Sequence, residues 1–302
     1  MPSSQNINCL TSHQIDKLKW DRCIEKADNG LIYGYSFYLD PMCHNWDALV
    51  LNDYEAVMPL PWRKKFSVYY IYQPFLVAQS GLFGNNITAE TLTTFLNNIP
   101  KKFSYWDFPL NHGTVFSLAD YPLFTRANYV LSLQPSYNDL YSAYRQNIKR
   151  NIKKAIQYGC EIKKDISISS IIDLAKEQNN SNEVGFLQFE KLFNYLHQQK
   201  QAISYGIYSG GQLVASAAFL FSHSRAYYIL VGNHPNGRTL GASHLLIDSF
   251  IKDHAGQQLL LDFEGSDIRN LSFFYSSFGA VEENYTAIKL NRLPWFARWL
   301  KK

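Results

Sequence analysis

Between Gly232 and Ala280 the sequence passes, without interruption, through a turn, an amphipathic helix, a buried strand and a second helix. Pro235-Asn236-Gly237 carries strong turn chemistry. After it, Leu246, Ile247, Phe250 and Ile251 recur at helical spacing, while Asp248, Lys252 and Asp253 lie off that stripe. The run QQLLLDFEGSD then reads as a buried strand, and IRNLSFFYSSFGA as a helix closing on Gly279. Arg238, Gly241, Ala242 and Ser243 fall at the entry of the first helix, where unpaired N–H groups and the positive dipole end favour an anion. Gly241 would let a phosphate approach the backbone, and Arg238 could grip it with its forked guanidinium. The plain alternative is a surface loop with one solvated arginine.

The order around that stretch resembles the second half of a GNAT acyltransferase domain. There an Arg/Gln-x-x-Gly-x-Gly/Ala loop binds the pyrophosphate of coenzyme A, and a later Phe-Tyr-x-x-x-Gly segment flanks the thioester. This sequence reads Arg238-Thr239-Leu240-Gly241-Ala242-Ser243, with Ser in place of the last small residue, and Phe274-Tyr275-Ser276-Ser277-Phe278-Gly279.

The rest of the chain repeats the plan. Thr11-x-x-Gln14 looks like a capping box opening a helix to about Ala27, and a shorter helix is expected over residues 35–43. Three strands follow, WDALVL, EAVMPLPW and SVYYIY, the first two joined at Asn52-Asp53, with Pro59 and Pro61 giving the second an edge character. A helix over 88–97 and the strands FSYWDF and ANYVLSL complete the first half. In the second, one long helix is expected over 137–158, stopped by Gly159, then helices near 171–177 and 188–198. The strands AISYGIY, LVASAAFLF and AYYILVG come next, and after the 232–280 stretch a last strand, NYTAIKL. The repeat of element order implies a duplication divided near Gln134-Pro135, giving domains 1–134 and 135–302. The first half has GLFGNNITAE where the second has its Arg-x-x-Gly loop, so it is expected to form the acceptor side.

Residues 145–154 hold Arg145, Lys149, Arg150, Lys153 and Lys154 with no acid among them, around a stripe of Tyr144, Ile148, Ile152, Ala155 and Ile156. Such a face is either solvated or answered by an anion. A basic helix ending in Gly at this place resembles the start of the second domain of Fem-type proteins, the peptidoglycan bridge-forming aminoacyltransferases and their relatives, built from two GNAT-like domains. The segments Tyr72-Gln73-Pro74-Phe75, Gln79-x-Gly81-x-Phe83 and Asp262-Phe263-Glu264-Gly265-Ser266 also look like that superfamily. The resemblance implies a mixed α/β (α+β) fold of two tandem GNAT-like domains, each a largely antiparallel mixed sheet flanked by helices. It implies transfer of an acyl group to an amine held between the domains, from an acyl-CoA or an aminoacyl-tRNA as co-substrate, with no permanent cofactor. No heptad-rich arm lies between Lys153 and Gly206, a departure from the members that carry one.

Acyl transfer to an amine needs a grip on the donor, N–H groups for the oxyanion and a base for the amine proton. The grip would come from Arg238, Gly241, Ala242 and Ser243, and the oxyanion donors from the backbone at Val231, Gly232 and Asn233. Glu264 is the expected base, sharing a strand face with Asp262, and Tyr275 resembles the tyrosine that protonates a leaving thiolate in many GNAT enzymes. Each has a plain alternative, an edge carboxylate in an ion pair and a packed aromatic. Gln73, Gln79, Arg150, Lys153, Asp262 and Ser266 are the expected contacts of the acceptor or of tRNA.

Other chemistries fit poorly. His234, His244 and His254 stand ten apart, which puts no two on one helix face as metal ligands. Adjacent Cys43 and His44 face apart, and no Walker or Rossmann glycine pattern occurs. The net charge of +4 is too small to argue for DNA. Four unpatterned cysteines, a polar start and no apolar run of spanning length suggest a cytoplasmic chain with reduced thiols. The tail LPWFARWLKK either touches a membrane surface or caps the second domain. A binding protein that kept the fold and lost the chemistry is the reading from another class.

Overall fold

The computed structural model describes residues 6–177, 182–265, 267–295 and residue 298. In chain order its elements begin with strand β1 (Ile7–Thr11), helices α1 (Lys17–Lys26) and α2 (Ser36–Met42), and strands β2 (Trp46–Leu51), β3 (Ala56–Lys65), β4 (Val68–Tyr72) and β5 (Phe83–Gly84). Helix α3 (Ala89–Asn97) and strands β6 (Phe103–Pro109) and β7 (Leu123–Ser132) follow. Then come helices α4 (Tyr137–Ala143) and α5 (Gln146–Gln157), strand β8 (Glu161–Lys164), helices α6 (Ile168–Lys176) and α7 (Glu183–Gln198), and strands β9 (Ala202–Ser209), β10 (Gln212–Ser222) and β11 (Arg225–Asn233). Helices α8 (Pro235–Leu240) and α9 (Ala242–His254), strand β12 (Leu260–Asp262), helix α10 (Arg269–Ser276) and strand β13 (Val281–Asn291) complete the order. The chain divides into two compact units, one running to Arg126 and resuming at Asn284, the other Ala127–Glu283. The division thus falls within β7 and β13, and not at Pro135.

In the first unit the strands lie in the order β1-β2-β3-β4-β6-β13, with β5 on β3. All neighbours are antiparallel except β4 and β6. The core gathers Met58, Leu60, Ile71, Phe95, Phe103, Trp106 and Phe108. Helix α1 begins later than the sequence suggests. Thr11 and Gln14 close a turn on themselves, and Asp16 is the cap, accepting from the N–H groups of Leu18 and Lys19. The prolines of β3 keep their edge character inside the sheet order. Trp62 N donates to Asn45 O beyond the end of β2, so by alternation the N–H groups missing at Pro59 and Pro61 would point the other way. On that side β5 reaches only Ala56 and Val57, and β4 begins at Trp62.

In the second unit the order is β7-β12-β11-β10-β9-β8, antiparallel apart from β11 and β12. Phe250 of α9 stacks on Phe219 of β10, centroids 3.8 Å apart, at the centre of the core. On the opposite face, Leu174 of α6 sits where Gly232 has no side chain. The single helix expected over 137–158 is two. Tyr144 and Arg145 are extended, and Arg145 N donates to Ser277 O at 2.9 Å, a tertiary bond that a continuous helix could not make. Ile148, Ile152 and Ala155 are buried as the stripe predicts, whereas Ile156 is 60% exposed.

One buried ionic cluster ties this sheet together. Arg225 on β11 reaches Asp262 at 3.0 Å and Glu283 at 2.7 Å, and Asn128 on β7 donates to both carboxylates. Removing the guanidinium would leave the buried Asp262 carboxylate, and the partly exposed Glu283, without their cation. Arg225→Met is therefore expected to lower stability by about 3–5 kcal/mol, read by urea unfolding; a loss under about 1 kcal/mol would show that the cluster does not hold the strands.

Candidate active site

Strand β11 is paired to β12 only at Arg225, Ala226 and Tyr227, opposite Leu260, Leu261 and Asp262. There β12 stops, and β11 runs on to Asn233 with its backbone edge open on that side among the described residues. Within the open part lies a bulge. Ala218 faces Leu230 and Phe219 faces Tyr228, so Ile229 has no opposite residue on β10. The extra residue reverses the alternation. Tyr228 and Val231, three apart, therefore pack against the same core, and Asn233 shares their face. That brings Asn233 to helix α9, where its side-chain oxygen accepts a short hydrogen bond from the Ser243 hydroxyl.

Two glycines set the helix against the strand. Residues expected to form a loop are the short helix α8, capped by His234, whose Nδ1 accepts from Asn236 N. A Cβ on Gly237 would stand 2.0 Å from Val214 O, the carbonyl that also accepts from His234 N. Gly241, at φ +81°, ends α8 and opens α9; a Cβ there would lie 2.7 Å from Asn151 O. Its bare face is thus taken by α5. The first-turn amides of α9, at Ala242 and Ser243, have no intrahelical acceptor by geometry, while His244 and Leu245 donate to Gly241 O. Arg238 is exposed and forms no salt bridge among the described residues. Arg150 and Lys153 are both exposed on the adjacent α5, at other positions around the helix than Asn151.

His244, not singled out by its sequence except as a rejected metal ligand, lies in the middle of this arrangement. Its ring stands edge-on to Phe274, and the Asn151 amide lies 3.3 Å from Nε2. Burial lowers its pKa to about 4. The imidazole is neutral at pH 7 and adds no charge to the helix terminus.

Below the open edge, Phe263, Tyr228 and Tyr275 form an aromatic wall, Tyr275 stacked on Phe263 at 4.5 Å. Burial first, and the charge of Glu264 second, raise the Tyr275 pKa to about 12, so the phenol keeps its proton at neutral pH. Glu264 does not share a strand face with Asp262. The strand has ended, and Glu264 turns at φ +67°, its N–H donating to Asp262 Oδ1. Asp262 itself is 2% exposed, with Arg225, Asn128 and the Glu264 amide on its oxygens. Gln79 is buried in the first unit, accepting from His112 N, while exposed Gln73 donates to Val77 O. Ser266, Phe296, Trp299, Lys301 and Lys302 lie outside the described residues. The structure thus brings together Asn233 with Ser243, Gly241 with the basic helix, and Glu264 with Tyr275. Arg225 and His244 are contributors that residue patterns did not reveal, and Gly237 was legible only as a turn residue.

Residues 142–267 match the family model described as an acetyltransferase (GNAT) domain. Across the whole chain the fold is similar to that of the solved structure of FemX, with TM-score 0.66 and 11% identity over 97% of this chain and 99% of that one. It is also similar to a conserved protein of unknown function from Bacteroides thetaiotaomicron VPI-5482, with TM-score 0.58, 15% identity and coverage of 95% and 99%. The L-PGS structure from Bacillus licheniformis gives 0.56, 12%, 94% and 95%. No curated protein matches the sequence. The match to an acetyltransferase (GNAT) domain model lies within the second unit and indicates acyl transfer, while the solved structures show a likeness of fold along the whole chain.

Two outcomes follow from the packing at α9. Gly241→Ala forces a side chain into left-handed backbone and against the Asn151 carbonyl. It should cost at least about 1–2 kcal/mol, visible as a lowered unfolding midpoint. His244 has a folded pKa below its unfolded value of about 6.5, so the unfolded state binds more protons between pH 4 and 6.5. Its contribution is complete above that window and lost as pH falls through it, on the order of 3 kcal/mol. His244→Gln should flatten the acid limb of a stability–pH profile by that amount; identical slopes would show that the ring titrates normally.

Proposed function

We propose that the protein transfers an acyl group from an acyl-CoA thioester to an amine, with the donor lying along the open edge of β11 and its phosphates at the N-terminus of α9. The observation that carries this reading is the parting of β11 from β12 on the strand that leads through α8 into the N-terminus of α9, with exposed Arg238 on α8 between them. The backbone of β11 at Val231, beyond the last residue paired to β12, stands where a thioester carbonyl would develop negative charge. Glu264 takes the proton released as the amine nitrogen bonds to the carbonyl carbon. When the carbon–sulfur bond breaks, Tyr275, protonated at neutral pH, gives its proton to the leaving thiolate.

A second reading keeps the site and changes the donor. Fem-type resemblance implies an aminoacyl-tRNA, and the exposed cations of α5 beside α9 favour a larger polyanion than coenzyme A. A peptide amine of a cell-wall precursor would then be the acceptor.

Thermal unfolding with coenzyme A and acetyl-CoA separates the readings. Ligand at about 100 times its dissociation constant should add roughly 2.7 kcal/mol to the parent and much less to Arg238→Ala. No shift at millimolar ligand, with salt-sensitive binding of charged tRNA, would replace the first reading by the second. With the donor fixed, Tyr275→Phe and Glu264→Gln should each lower kcat by about 10²–10⁴-fold while leaving that ligand shift intact. Full activity in Tyr275→Phe would leave that ring a packing role only.

A further inference from the structure

The hairpin joining β3 to β4 lies in the first unit and takes no part in the site above. Its strands pair Trp62 with Ile71, Arg63 with Tyr70, Lys64 with Tyr69 and Lys65 with Val68. The turn between them is Phe66-Ser67, both in left-handed backbone at φ +48° and +64°. Two-residue turns of this kind favour Asn-Gly, which adopt such angles easily. A phenylalanine has no local hydrogen bond to offer there, yet its ring is at the tip and 75% exposed. From Ala56 to Tyr72 the sequence holds no acid, and Arg63, Lys64 and Lys65 form no salt bridge among the described residues. Their cations rest on rings, Arg63 over Tyr72 at 4.4 Å, Lys64 over Tyr69 at 4.9 Å and Lys65 over Phe66 at 5.5 Å. Trp62, half-buried, lies behind them.

We propose that this hairpin docks the protein on an anionic lipid bilayer, with Phe66 entering the acyl boundary and Lys64 and Lys65 on headgroup phosphates. The argument is the order of chemistry along the hairpin. An apolar ring comes first, cations one residue behind, and amphipathic Trp and Tyr behind those. A bilayer met from water presents the complementary layers, with phosphates above hydrocarbon and a zone between that suits Trp and Tyr. The charge complements anionic lipid without neutralising partners to displace. The turn residues, disfavoured for a turn alone, are explained by what the tip must carry.

The test is co-sedimentation of the full chain with vesicles of phosphatidylcholine containing phosphatidylglycerol, against vesicles of phosphatidylcholine alone. Binding is expected to the first, falling as salt rises. Replacing Phe66-Ser67 by Asn-Gly gives the turn its preferred residues, so the variant should unfold no earlier than the parent, yet lose about tenfold or more in partition. Lys64→Gln and Lys65→Gln should each cost about fivefold. A Phe66→Trp variant should be quenched by lipids brominated on their chains. Absence of binding, equal binding to neutral vesicles, or parent-like partition of the Asn-Gly variant would overturn the proposal. So would binding confined to a single-stranded oligonucleotide and lost in the same variants, which would assign the hairpin to nucleic acid.

Discussion

The geometry of the second unit rests on a buried guanidinium. Arg225 holds β11 to Asp262 at the end of β12 and to Glu283 at the start of β13, with Asn128 completing the set. One cation between two carboxylates tolerates little loosening, because Asp262 released would stand uncompensated in low dielectric. Fixed there, β11 and β12 can part immediately beyond, and the parted edge is still a defined place. Rigidity at one end of the strand pair is what lets the other end be open.

Close packing then decides where the helix N-terminus stands. Gly237 lies on the bulged carbonyl of Val214, and Gly241 lies on the carbonyl of Asn151. Both glycines are therefore occupied by protein backbone, so an anion at α9 would have to be held by the first-turn amides at Ala242 and Ser243. The same contact explains the break between α4 and α5. Arg145 must reach Ser277 for α5 to lie along α9, and a continuous helix would carry the basic residues elsewhere.

Much of this was legible in the sequence, and the reasons differ from element to element. The longer strands of both halves and α3 announced themselves through apolar runs between turn signals, since local propensity and final environment agree there, whereas the short strands β1, β5 and β8 did not. The approximate place of the site was legible too, because turn chemistry, helix stripe and strand follow one another in a fixed order. The break at Tyr144 was not, since it is made by a tertiary hydrogen bond in a stretch of good helix formers. Nor was the turn at Glu264: alternation extrapolated past Asp262 assumes a strand that has already ended. The role of Arg225 was hidden because its partners lie 37 and 58 positions away.

The bulge at Ile229 bears on how this chain can change over evolutionary time. Every residue beyond it, Val231 and Asn233 included, owes its side of the sheet to one supernumerary position. Substitutions in β11 alter a contact, but loss of a single codon there would turn the strand end inside out and carry Asn233 away from Ser243. Gain or loss of length is therefore expected in hairpins and helix connections. In this one strand, length is under stricter selection than composition.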